Sequence, residues 1–287
     1  RTQRGQGPER ALTAASALSG PCPRCVRFLA LDEGANDPNR SQQAYTLKAM
    51  LWRQNDFLGG FLEPFMPELE PLLELREFAK GERLHSDRAD ELQVFPVNAV
   101  FAGVLQPSFA PPVFFTLLSP RNALIGRAGD APTEPPYEVS VLGKGYAYTV
   151  PKAAFARVVG CDRWSKVYTG PVSYWVNSLL TINSACNAAH NSTKRVARFI
   201  VEAARGFGPD IPVTLSQSEI AEHLDIRRET VSEVLEQART EGTIEVGRAR
   251  IVVNDMARLL HYACPCHRSV EKVTADLGAG SAAVLAA

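Results

Sequence analysis

The sequence carries no net charge, because its 31 lysines and arginines offset 31 aspartates and glutamates. A neutral chain does not attract nucleic acid through its overall charge, so any contact with DNA must come from a local patch. No apolar run reaches the roughly 18 residues that a membrane span needs, and the apolar stretch at 11–18 is too short and too broken by Ser and Thr for a secretory signal. We therefore expect a cytoplasmic protein without membrane contact, whose six cysteines are mainly reduced.

Sequence signatures of catalysis are missing as well. The chain has neither a G-x-S-x-G motif nor a glycine-rich loop of the kind that cradles phosphate. Its strand-rich region lacks a cluster of His and Glu that could hold a catalytic metal. We expect no catalytic residues and no required cofactor, and an enzyme built on these strands is the least favoured function.

A helix-turn-helix pattern occupies residues 214–253. Ser216 and Glu219 have the spacing of a capping box, in which each side chain bonds the backbone N–H at the other position. After a tight turn, apolar residues at helical spacing predict a second helix over 228–240. Gly242 should end this helix, because glycine tolerates the left-handed conformation of a C-cap.

Two short alternating strands, at 243–246 and 250–253, make the unit a winged helix-turn-helix, which can place its second helix in the major groove of DNA. The segment Ile-Arg-Arg-Glu-Thr-Val-Ser-Glu-Val-Leu at 226–235 resembles the recognition helix of the Crp/Fnr family of bacterial transcription regulators. The wing Gly-Arg-Ala-Arg-Ile-Val at 247–252 is similar to that family too. The resemblance implies a homodimer that binds a palindrome in double-stranded DNA and works with RNA polymerase.

The resemblance also implies roles for single residues. Arg228 and Glu229 match the family's pair that reads a G·C step, since the Arg fork fits guanine and a carboxylate accepts from cytosine. Glu233 departs from the family, which often has a second base-reading Arg there, so we expect a related but different half-site. Helix N-termini and wing arginines favour phosphate contacts. The expected DNA contacts are Ser216, Gln217, Arg228, Glu229, Thr230, Ser232, Glu233, Arg248 and Arg250.

The whole chain is predicted to be α+β. Many short strands separated by Pro and Gly follow some helical material, which suggests a jelly-roll-like β-roll, and the resemblance makes this the family's cyclic-nucleotide-binding-like sensor domain. We expect a short helix at 269–277 and a frayed end after it. The expected divisions are a disordered tail at 1–45, the β-roll at 46–160, a long dimerisation helix at 171–191, a Crp-type winged helix-turn-helix domain at 192–262 and a cysteine-containing tail at 263–287.

The nucleotide pocket that the resemblance implies is poorly matched. The family's pocket has a Gly-Glu pair, whose Glu binds the ribose, and a downstream Arg that binds the cyclic phosphate. Here the matching residues are Ile125, Gly126 and Arg127, so Arg stands in the Glu position, and no Arg occurs near 135–137. Because a buried phosphate without a cationic partner is costly, we expect that cyclic AMP does not bind in the usual way. The β-roll then either senses something else or serves as a scaffold.

Apolar residues recur at alternating spacings of three and four within 171–191, which is the pattern of a coiled-coil seam. In the Crp/Fnr family the corresponding helix forms the dimer interface, so we expect the seam to contact a second copy of the chain. The alternative is a helix that packs on its own β-roll. The seam residues are Val172, Trp175, Leu179, Ile182, Cys186 and Ala189.

A cluster of metal-binding residue types follows the wing. Cys264, Cys266 and His267, with His261 nearby, could bind zinc, haem, an iron–sulfur centre or another soft metal ion. The alternative is that Cys264 packs as a small apolar residue and Cys266 is merely exposed. A regulator that senses metal or redox state through these residues is the second functional hypothesis.

Cys22 and Cys25 form a C-x-x-C pair that could take the same sensing role. Fnr itself carries an N-terminal cysteine cluster for an iron–sulfur centre, but such a centre needs four ligands and no third cysteine lies nearby. An incidental pair in a flexible tail is the favoured interpretation. Cys186, at the seam, could form a disulfide between subunits, although a small core residue is the more common role.

Overall fold

A computed structural model describes residues 51–85, 92–105, 113–118, 137–208 and 211–286 of the chain. The expected tail with Cys22 and Cys25, and the effector pocket at Ile125, Gly126 and Arg127, lie outside these residues. Within them, no helix combines the length and the hydropathy that crossing a membrane would need.

The described chain opens with short helical turns rather than one long helix. Prolines at positions 64, 67 and 71 each lie in the first turn of a short segment, where the missing N–H is tolerated, and each prevents the preceding segment from continuing. Apolar residues at helical spacing over 69–75 predict a helix there, but the last helical turn ends at Leu72 and the first strand begins at Glu74. The segments are Leu51–Gln54, Phe57–Phe61, Glu63–Phe65, α1 (Met66–Leu69) and Glu70–Leu72.

Seven strands form two antiparallel sheets within the described residues. One sheet has the order β1-β7-β3 and the other β2-β6-β4-β5. Side chains of both sheets meet in one core, where the rings of Phe78 and Phe101 lie 5.4 Å apart, which confirms the predicted β-sandwich. The strands are β1 (Glu74–Phe78), β2 (Arg83–His85), β3 (Leu92–Pro96), β4 (Val100–Leu105), β5 (Val113–Leu118), β6 (Tyr137–Gly143) and β7 (Gly145–Pro151).

Helices follow the sandwich without further strands until the wing. Asn191 caps the helix after it, since its side-chain oxygen accepts from the backbone N–H of Lys194 at 3.1 Å. The elements are α2 (Lys152–Val159), α3 (Cys161–Val167), a π-helical turn (Tyr168–Val172), α4 (Ser173–Ala189), α5 (Ser192–Phe207), α6 (Gln217–Leu224), α7 (Arg228–Thr240), β8 (Ile244–Gly247), β9 (Arg250–Val253), α8 (Met256–Tyr262) and α9 (Cys266–Ala286).

The last helix, α9, corrects the prediction of a short helix with a frayed end. It runs over 21 residues and packs along α4 and against the turn at Phe57–Phe61. Leu277 is buried, and a side chain at Gly280 would stand 3.3 Å from Pro171. The small residues that suggested fraying therefore form a packing surface.

The predicted dimer seam on α4 is largely occupied by the chain itself. Trp175, Leu179 and Cys186 are all less than 5% exposed in the single chain, and the indole N–H of Trp175 donates to the hydroxyl of Thr274 on α9 at 3.2 Å. The periodicity correctly identified one face of the helix, but α9 covers that face. These three residues are therefore buried within the chain itself, and the dimer contact stays a prediction. Of the other seam residues, Val172 and Ile182 are half-buried, and Ala189 is exposed.

The helix-turn-helix unit packs directly on the four-stranded sheet. Val100, Ala102 and Leu142 of this sheet share a second core with α5, α6, α7 and α8. A polar contact adds to it: the Lys80 ammonium donates to the Thr214 carbonyl at 2.6 Å and pairs with the Glu219 carboxylate at 2.7 Å. The sandwich and the helix-turn-helix are thus joined by both apolar and charged contacts.

Asn55 generates a prediction about the stability of the sandwich. Its buried amide donates to the Pro96 carbonyl at 3.0 Å and accepts from the backbone N–H groups of Phe57 and Leu58 at 3.0 and 3.2 Å. Asn55→Ala leaves these groups unpaired, so the free energy of unfolding should fall by about 1–3 kcal/mol in urea denaturation. Asn187→Ala, at an exposed position of α4, is the control and should change little. Equal stabilities would contradict the role of Asn55.

The Lys80–Glu219 pair predicts a dependence of stability on pH. Burial alone would raise the pKa of the Glu219 carboxyl, but hydrogen bonds from Lys80 and Ser216 outweigh it and hold the pKa below its ordinary value of 4.5. The stabilisation is then fully present above pH 4.5 and is lost as the pH falls through the lowered pKa. Lys80→Met should cost about 0.5–1 kcal/mol at pH 7, since the pair is partly exposed.

The measurement is urea denaturation of wild type and Lys80→Met between pH 7 and pH 3. Their difference should shrink at acid pH to the part that comes from the Thr214 hydrogen bond. Lys144→Met, which removes a more exposed pair with Glu77, is the matched control. A difference that stays constant down to pH 3 would show that Glu219 contributes nothing through its charge.

Candidate DNA interface and a cysteine–histidine cluster

The first helix of the helix-turn-helix, α6, begins with the predicted capping box. The Ser216 hydroxyl accepts from the Glu219 backbone N–H at 3.2 Å, and the Ser216 N–H donates to the Glu219 carboxylate at 2.7 Å. Ile220, Ala221 and Leu224 are buried on its inner face. The box fixes where the helix starts, and so it places Ser216 and Gln217 at the N-terminal end that we expect to face phosphate.

A left-handed residue makes the turn between the helices. Asp225 has a φ of 48°, a conformation that Asp adopts more readily than most residues. The Ile226 N–H donates a hydrogen bond to the Ala221 carbonyl at 3.1 Å. The Ile226 side chain is half-buried against the second core. The chain leaves this turn in an extended conformation at Arg227, from which α7 begins.

The recognition helix α7 spans Arg228–Thr240, as the sequence predicted. Its inner face buries Val231, Leu235 and Ala238. Arg228, Glu229 and Glu233 are exposed, whereas Thr230 and Ser232 are half-buried. Within the described residues, no carboxylate forms an ion pair with Arg228, and no side chain caps the first N–H groups of α7. The helix therefore presents charged side chains and backbone donors together at its N-terminal end.

The wing is a short hairpin of β8 and β9. Gly247 pairs with Arg250 across it, and Ala249 adopts a left-handed φ of 49° to complete the turn. Arg248 and Arg250 are both exposed. Val213 bridges to Ile251, which ties the hairpin to the segment before α6. The wing arginines are thus held at one end of the same unit as α7.

Two cysteines and a histidine near the ends of α4 and α8, with a third cysteine, form a separate cluster of possible metal ligands. Cys186 and His190 come from the C-terminal end of α4, Cys264 comes from the link between α8 and α9, and Cys266 is the first residue of α9. Their sulfur and nitrogen atoms all lie within 4.8 Å of one another. The Cys186 and Cys264 sulfurs are 3.5 Å apart, and the Cys266 sulfur is 3.7 Å from His190 Nδ1. Cys186 and Cys264 are fully buried, and the other two are half-buried.

This cluster differs from the predicted ligand set of Cys264, Cys266 and His267. The ring Nδ1 of His267 is 2.8 Å from the Cys264 carbonyl oxygen, so it bonds the backbone instead of joining the thiols. His190 takes the place that was expected for His267, and Cys186, which was predicted as a seam residue, joins the cluster. The missed signal was the spacing of Cys186 and His190, which places both on one face of a helix.

Electrostatics distinguish the thiols of the cluster. The hydrogen bond between Cys186 and Cys264 raises the pKa of Cys186 and lowers that of Cys264 to about 5, and the nearby Arg198 guanidinium lowers both. Burial raises the pKa of Cys266. Arg198 is 4% exposed and also donates to the Asn183 side chain at 2.6 Å. The cluster therefore favours a thiolate at Cys264 next to a buried cation.

Comparison with known proteins supports the helix-turn-helix assignment directly. Residues 194–262 match the family model described as a Crp-like helix-turn-helix domain. A comparison with curated proteins found no match.

Solved structures share the wider fold. FixK2 from Bradyrhizobium japonicum is 18% identical, covers 67% of this chain and 98% of its own, and has a TM-score of 0.51. A transcriptional regulator of the Crp/Fnr family from Eubacterium rectale is 16% identical, covers 71% of this chain and 94% of its own, and has a TM-score of 0.50. Similarity at these identities establishes the fold. Residues 194–262 are therefore a Crp-like helix-turn-helix domain, which the chain carries on the fold of the Crp/Fnr transcription regulators.

Proposed function

We propose that the chain is a sequence-specific, DNA-binding transcription regulator, which acts as a homodimer on a palindromic site and performs no catalysis. The observation that carries the proposal is the outer face of α7, where Arg228, Glu229 and Glu233 are exposed on the second helix of a Crp-like helix-turn-helix. Helices in this position enter the major groove and read base edges. RNA polymerase as a further partner is an expectation from the family resemblance.

Arg228 and Glu229 are the proposed base-reading residues. The planar guanidinium of Arg228 can donate two parallel bonds to O6 and N7 of guanine, and the Glu229 carboxylate can accept from N4 of cytosine. Glu233, one turn further along, adds a negative charge that repels phosphate and also favours a cytosine amino group. Thr230 and Ser232 are half-buried and would reach DNA only with their hydroxyl groups.

Backbone phosphates are the proposed partners of the surrounding residues. The Ser216 hydroxyl oxygen already accepts within the capping box, but its hydrogen is still available for donation to a phosphate. Gln217 follows at the helix N-terminus, where the dipole favours an anion. Arg248 and Arg250 would hold phosphates from the wing. Because the chain has no net charge, these local cations would supply the electrostatic part of the affinity.

The dimer is proposed to form through the exposed side of α4 instead of the buried seam. Tyr174 is 60% exposed, an unusual state for a large aromatic residue. Small and polar residues continue the same side at spacings of three and four, which would allow two copies of the helix to approach closely. This side consists of Tyr174, Asn177, Thr181, Ala185 and Ala188.

Substitution of Arg228 tests the base-reading role. A site is first selected from random duplexes with the wild-type protein, and the affinities of Arg228→Ala for that site, for single-base variants and for scrambled DNA are measured by fluorescence anisotropy at fixed salt. We expect a loss of about 1–3 kcal/mol on the selected site and relaxed preference at one base pair. The control is Arg239→Ala, which lies at the far end of α7 and pairs with Glu236.

Two outcomes would count against this assignment. An equal loss on every sequence would mean that Arg228 contacts only phosphate. Failure of the wild-type protein to enrich any sequence would contradict sequence-specific DNA binding altogether.

Substitution of Ala185 tests the dimer. Ala185→Glu places two like charges against each other if the exposed side of α4 lies on a two-fold axis, so sedimentation velocity should shift from twice the chain mass of 31.3 kDa to the mass of one chain. Ala153→Glu, at an exposed position of α2, is the matched control and should leave the mass unchanged. A dimeric Ala185→Glu variant would place the interface elsewhere, and a monomeric wild type would exclude the dimer.

A further inference from the structure

We propose that Cys186, His190, Cys264 and Cys266 bind a single Zn²⁺ ion, which links the C-terminal end of α4 to the start of α9 and the link before it. The proposal goes beyond DNA binding and does not rest on it. It depends on the geometry of the four ligand atoms, on their chemistry and on the charges that surround them.

The spacing of the ligand atoms fits one tetrahedral ion. With Zn–S bonds of about 2.3 Å and Zn–N bonds of about 2.0–2.1 Å, neighbouring ligand atoms of a tetrahedron lie about 3.5–3.8 Å apart. The Cys186 and Cys264 sulfurs are 3.5 Å apart, and the Cys266 sulfur lies 3.7 Å from His190 Nδ1. All four atoms lie within 4.8 Å of one another, so small side-chain adjustments suffice to close the tetrahedron.

The ligand types select the metal. Three sulfurs and one imidazole nitrogen are the donor set of structural zinc sites, and the group contains none of the oxygen ligands that magnesium and calcium require. An iron–sulfur cluster distributes its ligands over two or more irons, so its ligand atoms would not all lie at the corners of one tetrahedron. Four protein ligands leave no open position for a reacting water, which indicates a structural or regulatory ion.

The surroundings compensate for the charge of such a site. Three thiolates and one Zn²⁺ ion carry a net charge of about −1, and a buried charge of this kind needs a partner. Arg198 supplies one: it is 4% exposed and interacts electrostatically with all three cysteines. Its Nε lies 3.6 Å from the Glu202 carboxylate, so that carboxylate shares the guanidinium with the site. Nη1 of Arg198 makes no hydrogen bond in the described structure.

The backbone around the cluster is also held in place. The Cys264 N–H donates to the Lys194 carbonyl at the start of α5, and its own carbonyl is bonded to the ring of His267. Cys186 and Cys264 are 78 residues apart in the chain. An ion at this point would therefore cross-link α4, the helix on which we place the dimer contact, to the end of the DNA-binding domain.

Metal analysis of the purified protein tests the proposal. The full chain is expressed in zinc-replete medium, purified anaerobically without chelators and analysed by plasma mass spectrometry, and we expect about one zinc per chain. Cys264→Ser and His190→Gln should each abolish stoichiometric zinc. Cys161→Ser and His261→Gln, at exposed positions outside the cluster, are the matched controls and should retain it. A protein in which Cys22 and Cys25 are both replaced by Ser should retain it too.

Spectroscopy of the wild-type protein keeps the test decisive if the cluster variants do not fold. X-ray absorption at the zinc edge should give three sulfur ligands and one nitrogen ligand, and replacement of zinc by Co²⁺ should give a thiolate-to-cobalt charge-transfer band. A metal-free protein that gives no such band would overturn the proposal, as would coordination mainly by oxygen. Loss of zinc on removal of Cys22 and Cys25, or a Cys186–Cys264 disulfide in the anaerobic protein, would overturn it as well.

Discussion

Burial of α5 on both of its sides holds the two halves of the described chain together. Every residue from 196 to 201 is buried. On one side, the Phe199 ring lies 5.6 Å from that of Phe114 in β5, and Phe207 fills the space that the missing side chain of Gly143 leaves open. On the other side, α5 shares a core with α6, α7 and α8. Withdrawal of α5 from the sheet would therefore expose apolar side chains of both halves to water, which opposes their separation.

The same packing gives the sandwich a short route of contact to the recognition helix. Phe114 lies on β5, and its ring centre is 5.1 Å from that of His223 on α6. The core and the left-handed turn at Asp225 then fix α7 relative to α6. Because protein interiors are close-packed, a displacement of β5 is felt by the helices that touch it. In this arrangement the sheet contacts the helix-turn-helix directly, so α4 is not the only connection between the sandwich and the helix-turn-helix.

The sequence predictions are accurate where the residues that decide the structure are close together in the chain, and less accurate where distant residues decide it. Ser216 and Glu219 are three residues apart, and Gly242 acts through its own backbone, so local chemistry sufficed to place α6 and the end of α7. The seam on α4 was correct as a face, but three of its residues are buried within the chain itself, and its role as an interface stays a prediction. Periodicity shows which residues lie on one side of a helix, but not whether a second copy or another part of the same chain covers them. Trp175 is covered by α9, which lies about 100 residues away in the chain.

The cysteine–histidine cluster shows the same limit in its ligands. His267 follows Cys266 directly, so the sequence pattern places these two residues in one ligand set. The direction of the backbone decides whether the ring of His267 or that of His190 reaches the sulfurs. Ala263 is extended, with ψ at 146°, and α9 starts at Cys266, so His267 already lies in the first turn of a helix. Its ring bonds back to the Cys264 carbonyl, in the manner of a side chain that satisfies a local backbone group. His190 lies one helical turn after Cys186 and faces the thiols, because residues four apart share a face of α4.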